Sequence, residues 1–216
     1  MDEHDDGPCC FDDWVDHWVG RAARRRTVAG VTAPLLEALE EAGVRDRTLL
    51  DLGCGIGDLA IEGVRRGASR AGGFDLSGKA IAQARRMAHE RGVADRTTFQ
   101  VGDGAREELP AADVVVLNRV FCCYPDARTL LDRSLAAAGS VYAFTIPRST
   151  GLAGWLARLQ VRFENAWYRL RRSKFRGFRV FVHDIGPIDE RVRAEGFRPV
   201  RREHRRFAWD LAVYTR

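Results

Sequence analysis

No stretch of this sequence approaches the run of about 20 apolar residues that a bilayer-spanning helix needs. Residues 1–16 hold seven acids and neither Lys nor Arg, so they lack the charged and apolar segments of a secretory leader. Cysteine is scarce and odd in number: Cys54 stands alone, and Cys9-Cys10 and Cys122-Cys123 are adjacent pairs. That count excludes a disulfide framework, and the expectation is a cytoplasmic protein with reduced thiols. A metal set drawn from His4, Cys9, Cys10 and His17 lacks the paired C-x-x-C spacing of a zinc knuckle, so no metal is assigned. Lysine is almost missing, at Lys79 and Lys174 only, so the net charge of +5 is carried by arginine. Such a bias reflects compositional habit as much as a selected basic surface. The charge is nevertheless segregated, with fifteen bases against six acids over residues 158–206. That segment could meet an acidic substrate, an anionic membrane or nucleic acid, or could simply be solvated. Internal repeats and low-complexity linkers are absent, and 45% hydrophobic residues exclude disorder throughout the 216. One core-forming domain is expected.

What is present centres on residues 48–60, TLLDLGCGIGDLA. Thr48-Leu49-Leu50 suits a buried strand, Asp51 and Gly53-Cys54-Gly55-Ile56-Gly57 a turn, and Asp58 onward a helix laid on the sheet through Leu59, Ala60 and Val64. Glycine lets the backbone approach a ligand, and a strand–turn–helix of this kind binds nucleotide-like cofactors. The G-x-G-x-x-G spacing of a dinucleotide site is missing: the glycines fall at 53, 55 and 57. Asp51, two residues ahead of them, would repel a pyrophosphate but suits a ligand bearing an ammonium and a sulfonium. The stretch closely resembles the first motif of class I S-adenosylmethionine-dependent methyltransferases. The cofactor implied is S-adenosylmethionine, with Asp51, Gly53, Cys54, Gly55 and Gly57 around it.

Further positions extend the resemblance. Asp75, at the end of a second strand (residues 71–75), is placed to accept from both ribose hydroxyls. Asp75-Leu76-Ser77 resembles the second methyltransferase motif, with Ser77 able to cap the next helix. Thr98–Val101 forms a third strand, after which Asp103 is placed to accept from the adenine amino group, while Gly104 and Ala105 offer backbone N–H groups to the ring. Residues 111–117 read as a fourth strand covered on both faces. Strands alternating with helices imply a parallel sheet. The family likeness implies an α/β, Rossmann-like doubly wound sheet of seven strands, the last antiparallel, with helices on both faces. Residues 1–47 are expected to be an acidic tail and cap helices. Residues 48–216 form the methyltransferase domain, with a helical substrate lid inserted at about 150–176.

The acceptor side is less determined. The loop after the fourth strand, Asn118-Arg119-Val120-Phe121-Cys122-Cys123-Tyr124-Pro125, should face the transferred methyl group. It departs from the Asn/Asp-Pro-Pro-Tyr of amino-group methyltransferases acting on nucleic acids and proteins, which makes nucleic acid an unlikely partner. Tyr124 could orient a nucleophile. His183 could act as a general base, or it could cap a helix or bind the backbone. Trp14 and Trp18, on an aromatic helix, either lie over the cleft or pack on the sheet. The helix of residues 152–170 carries apolar Leu152, Trp155, Leu156, Leu159, Phe163, Trp167 and Leu170, with arginines at 158, 162, 169, 171 and 172. It reads as a pocket roof, as a membrane-surface helix over 152–172, or as plain core packing. The 144–150 strand end and this helix are similar to magnesium-protoporphyrin O-methyltransferases, in which the acceptor is a carboxylate and Arg148 would pair with it. Arg119, Arg148 and Trp155 complete the expected substrate contacts. The expected acceptor is a small or medium hydrophobic molecule methylated on a hydroxyl or carboxylate. Nucleic-acid methylation and nicotinamide-dependent oxidoreduction are the alternatives, and the oligomeric state stays open.

Overall fold

The computed structural model describes residues 11–23, 28, 30–170, 178–205 and 208–216. The Cys9-Cys10 pair, most of the acidic tail, and Arg171 and Arg172 therefore lie outside the described residues. Seven strands form one sheet: β1 (Thr48–Leu52), β2 (Arg70–Asp75), β3 (Thr97–Val101), β4 (Ala112–Asn118), β5 (Ala138–Pro147), β6 (Arg198–Arg205) and β7 (Trp209–Thr215). Their order is β3-β2-β1-β4-β5-β7-β6. Strands β1 to β5 pair in parallel, and β7 runs antiparallel to both its neighbours. The sheet expected from the sequence is present, with one boundary moved: Arg205 closes β6 rather than opening the last strand.

Side-chain alternation along the central strands builds the two cores. On β4, Val114 and Val116 join Leu49 and Ala71 under α2 (Thr32–Glu41), α3 (Asp58–Arg65) and α4 (Gly78–Glu90). Val115 and Leu117 face the other way, joining Leu50, Leu52, Tyr142 and Phe144 under α5 (Ala127–Ala137) and α7 (Ile185–Ala194). All four β4 side chains are fully buried, and each such burial stabilises by about 1.5–3 kcal/mol. The helix stops and starts are those the composition signals. Ser77 Oγ accepts from Ala80 N at 3.0 Å, and Asp126 Oδ1 accepts from Thr129 N at 3.0 Å. Gly43, at φ 85°, ends α2.

The order reverses between β1 and β4, so a crevice opens beyond their carboxyl ends. Helix α1 (Asp12–Ala23) crosses above it, held at the start of α4 by Ser77 Oγ donating to Asp12 and by Lys79–Asp16 at 2.8 Å. Between β5 and α7 stands α6 (Gly151–Leu170), the inserted helix. Among the described residues no helix is long and apolar enough to cross a membrane.

Candidate active site

The crevice at the switch point is a cavity of about 480 Å³. Its floor is the β1–α3 turn, where Gly53, Gly55 and Gly57 all take positive φ, at 66°, 55° and 81°. Only glycine adopts three such values without strain, which is why the sequence spaces them this way. The three do different work. Gly53 and Gly55 line the cavity. Gly57 does not: a Cβ there would stand 2.9 Å from both Ala84 and Phe99, so it lets α3 seat against α4 and β3. Its expected contact with a ligand is corrected to helix packing.

Asp51 follows the parity of Leu49 and ends up 1% exposed. Among the described residues its Oδ1 has no hydrogen-bond partner. Burial pushes its carboxyl well above the usual range, the nearby Asp75 and Asp58 carboxylates push it further, and the Ala60 backbone amide opposes the rise. A buried, unpartnered acid oxygen among like charges is costly unless a donor or cation arrives. Asp75 is differently placed. Its Oδ2 accepts from Gly55 N at 2.8 Å and its Oδ1 from Ser77 N at 2.9 Å, which ties the tip of β2 to the glycine turn. Burial raises its pKa while those two amides oppose the rise. Asp75 lines the cavity, and each of its oxygens has acceptor capacity left beyond that one bond. Leu76, 38% exposed, lies beside it.

Asp103 sits across the cavity with Gly104. Its Oδ1 accepts from Ala105 N at 2.9 Å, so Ala105 spends its N–H on Asp103 and is itself buried in the core. The expected offer of that amide to a ligand ring is therefore corrected. The Tyr124 hydroxyl donates to Asp103, 3.0 and 2.9 Å from its two oxygens, and burial and the Asp103 carboxylate push its pKa up to about 12. Tyr124 thus lines the cavity as an anchor for Asp103, and its proton is committed there rather than to an acceptor. Asn118 bridges two elements: Nδ2 donates to Thr32 Oγ1 at 2.8 Å, and Oδ1 accepts from Thr145 Oγ1 at 2.8 Å.

This arrangement of glycine turn, carboxylates and switch-point crevice agrees with the family comparison: residues 49–138 match the methyltransferase domain family. That segment is similar to a methyltransferase domain. The matched segment spans β1 to α5, the half that builds the turn, Asp75 and Asp103. Ribosomal protein L11 methyltransferase of Pasteurella multocida is 41% identical over 87 residues, 40% of this chain and 29% of that protein. The chain thus matches less than a third of the length of these curated relatives. Magnesium protoporphyrin IX methyltransferase of Synechocystis PCC 6803, solved with bound SAH, superposes with a TM-score of 0.69 over 95% of this chain and 97% of that one, at 19% identity. An O-methyltransferase family 2 protein of Planctomyces limnophilus, in complex with apigenin, gives 0.58 over 79% and 51%, also at 19% identity. At such identities the two structures establish a shared fold.

Beyond the matched segment, the cleft is closed by residues that the sequence did not single out as site residues. Tyr168 of α6, Phe178 and Val180 line it opposite Trp14 and Trp18 of α1. Cys122 and Cys123 line it beside Arg119, their sulfurs 3.4 Å apart. The hydrogen bond with Cys123 and then burial raise the Cys122 thiol, whereas the same hydrogen bond and then the Arg119 charge lower Cys123. The adjacent pair just after a strand was the only signal for this. Arg119 lines the cavity at φ 61°, a left-handed conformation unusual for a bulky residue.

Three expected acceptor contacts are corrected. Trp155 is 59% exposed and does not line the cleft, because α6 turns that face outward. Arg148 lies outside the cleft too; its backbone N pairs with Ala208 O at 2.9 Å, and its Nε is buried without a partner among the described residues. His183 also stays out of it: Nε2 donates to the Tyr124 carbonyl at 2.9 Å and the ring stacks on Phe181. A carbonyl only accepts, so this bond fixes the tautomer with the proton on Nε2. His183→Ala should therefore leave the pH dependence of turnover without a lost limb. It should lower stability by about 0.5–1.5 kcal/mol, the ordinary net value of one hydrogen bond. Loss of a basic limb in the pH–rate profile would restore His183 as a base.

Proposed function

We propose that this chain transfers the methyl group of S-adenosylmethionine to an oxygen, hydroxyl or carboxylate, of a small or medium hydrophobic molecule. The observation that carries the cofactor side is Asp51. Its buried, partnerless oxygen, with Asp75 and Asp58 adding negative charge, fits a ligand that brings an ammonium and a sulfonium. The same acids oppose a nicotinamide dinucleotide, whose pyrophosphate is anionic. Asp51 would hold the ammonium, Asp75 the ribose hydroxyls and Asp103 the adenine amine, with Tyr124 keeping Asp103 in place. When bound, the cofactor supplies a methyl group on a sulfonium, open to in-line displacement by an oxygen nucleophile. The chain's own contribution is alignment and exclusion of water by the roof of α1, α6 and residues 178–180.

On the acceptor side, the lining by Trp14, Tyr168, Phe178 and Val180 supports an apolar body, and Arg119 supports an anionic or hydroxyl end. A ribosomal-protein acceptor, suggested by the relatives' names, remains the second reading. It rests on a match confined to 40% of this chain.

Calorimetry with S-adenosylhomocysteine, with NADH as control, tests the cofactor assignment, and methyl transfer to a panel of hydrophobic acids and phenols tests the acceptor. Binding of the first ligand alone is expected. Asp75→Ala should weaken it roughly tenfold or more, since charge-assisted bonds to the ribose and the anchoring of Gly55 are lost together. Binding of NADH in preference would overturn the assignment, and methylation of a ribosomal protein but of no small molecule would replace the acceptor.

A further inference from the structure

Helix α6 is built inside out for a helix of a water-soluble fold. The side it presents to the domain is small or polar. Gly154 sits against Ser149, whose carbonyl oxygen would be 2.4 Å from an added Cβ. Asn165 exchanges two hydrogen bonds with the backbone of Val180, at 2.8 and 2.9 Å, and Arg158 donates to Ser149 O at 2.6 Å. Tyr168, on the same side, reaches the cleft. The opposite side carries Leu152, Trp155, Leu156, Leu159, Phe163 and Leu170, which are between 38% and 80% exposed. With Trp167, also exposed, these positions recur every three or four residues, so they form one continuous stripe along the 20 residues of the helix. An ordinary surface helix turns such a stripe inward.

The charge beside the stripe is mainly basic. Arg162 and Arg169 flank it, both exposed, while Glu164, the helix's only acid, is engaged by Gln160 at 2.7 Å. The sequence that follows adds Arg171, Arg172, Lys174 and Arg176. A second copy packed along the same stripe would set like charges against each other. An anionic lipid surface pairs with both features at once: acyl chains take the leucines and aromatics, and headgroups take the arginines. No described helix can span a bilayer, so the contact is one lying in the interface.

We propose that the outer face of α6 is a membrane-docking surface that binds anionic lipid bilayers. It presents the methyltransferase with its cleft roof, through Tyr168, directly behind the docked face. The proposal does not depend on which acceptor is methylated, because lipid binding is read without turnover.

The experiment is co-sedimentation of the full chain with vesicles of phosphatidylcholine alone or containing about 30% phosphatidylglycerol, a composition giving the negative surface potential that attracts basic segments. Binding to the anionic vesicles should be roughly tenfold or more tighter than to neutral ones, and should weaken as salt screens the arginines. Leu152→Ser/Phe163→Ser/Leu170→Ser should remove it roughly tenfold or more, and Arg162→Glu/Arg169→Glu should remove its salt sensitivity. S-adenosylhomocysteine affinity, measured on the same variants, reports that the domain is folded. Absence of binding to anionic vesicles at low salt overturns the proposal, as does binding that survives the triple substitution. A light-scattering mass of a dimer that the triple substitution splits would assign the face to a second copy instead.

Discussion

Asp51→Asn should weaken S-adenosylhomocysteine binding roughly 10–100-fold, the factor equivalent to about 1.5–3 kcal/mol for a hydrogen bond to a charged group. The amide keeps the shape of the side chain but cannot pair as an anion with an ammonium. The same substitution should raise the melting temperature of the ligand-free domain at neutral pH. Asp51 is buried, its Oδ1 lacks a partner, and burial followed by the Asp75 and Asp58 charges raises its pKa. Its folded pKa lies above the unfolded value of 3.8, so the folded state holds the proton more tightly. The stability this confers is fully present below that pH and is lost as pH rises through the folded value. The gap between variant and wild type should therefore close in acid. Binding of a cationic ligand selects the ionised carboxylate, so it should release protons in wild type and fewer in Asp51→Asn. Calorimetry in buffers of different ionisation enthalpy measures that release. A substitution that left both affinity and proton release unchanged would remove Asp51 from the ligand site.

Gly57→Ala should lower stability by about 2–5 kcal/mol. The left-handed conformation at φ 81° costs about 1–2 kcal/mol for a residue with a Cβ, and forcing an extra carbon into a packed region about 1–3 more. The added atom meets Ala84 and Phe99 at 2.9 Å, neither of which is the free end of a flexible side chain. For a domain of this size the melting temperature should drop roughly 4–20 °C. Gly55→Ala is the informative partner: at φ 55° it carries the conformational penalty, but its Cβ would meet only the Trp18 ring, at 3.7 Å. Its stability loss should be about 1–2 kcal/mol, with the larger effect on ligand affinity because Gly55 lines the cleft. Thermal melts of both variants with and without S-adenosylhomocysteine separate the two roles. Equal melting losses would mean that α3 does not need the close approach at Gly57.

These two glycines show how far local sequence reaches. Residues 48–60 specified a strand, a turn and a helix, because apolar runs, glycines and a helix-starting acid act over a few residues. Asp51, Asp75 and Asp103 were legible for the same reason: each lies at or just beyond the end of a strand, and the carboxyl ends of parallel strands face one crevice. The alternation of strands with helices likewise dictated a doubly wound sheet, since parallel neighbours require crossovers.

Only the tertiary structure decided which of these residues face the ligand space. Gly57 and Gly55 read alike in the chain, and what separates them is Phe99 and Ala84, over 25 residues away. Tyr124 is an anchor because Asp103, from another loop, folds within 3.0 Å of its hydroxyl. His183 is turned to the Tyr124 carbonyl, and Arg148 lies outside the cleft, through neighbours that no local spacing announces. The apolar period of α6 was plain, but a period fixes a face and not its direction. Gly154, Asn165 and Arg158 hold the opposite side to Ser149 and Val180, outside the helix, and those contacts turned the leucines and aromatics outward.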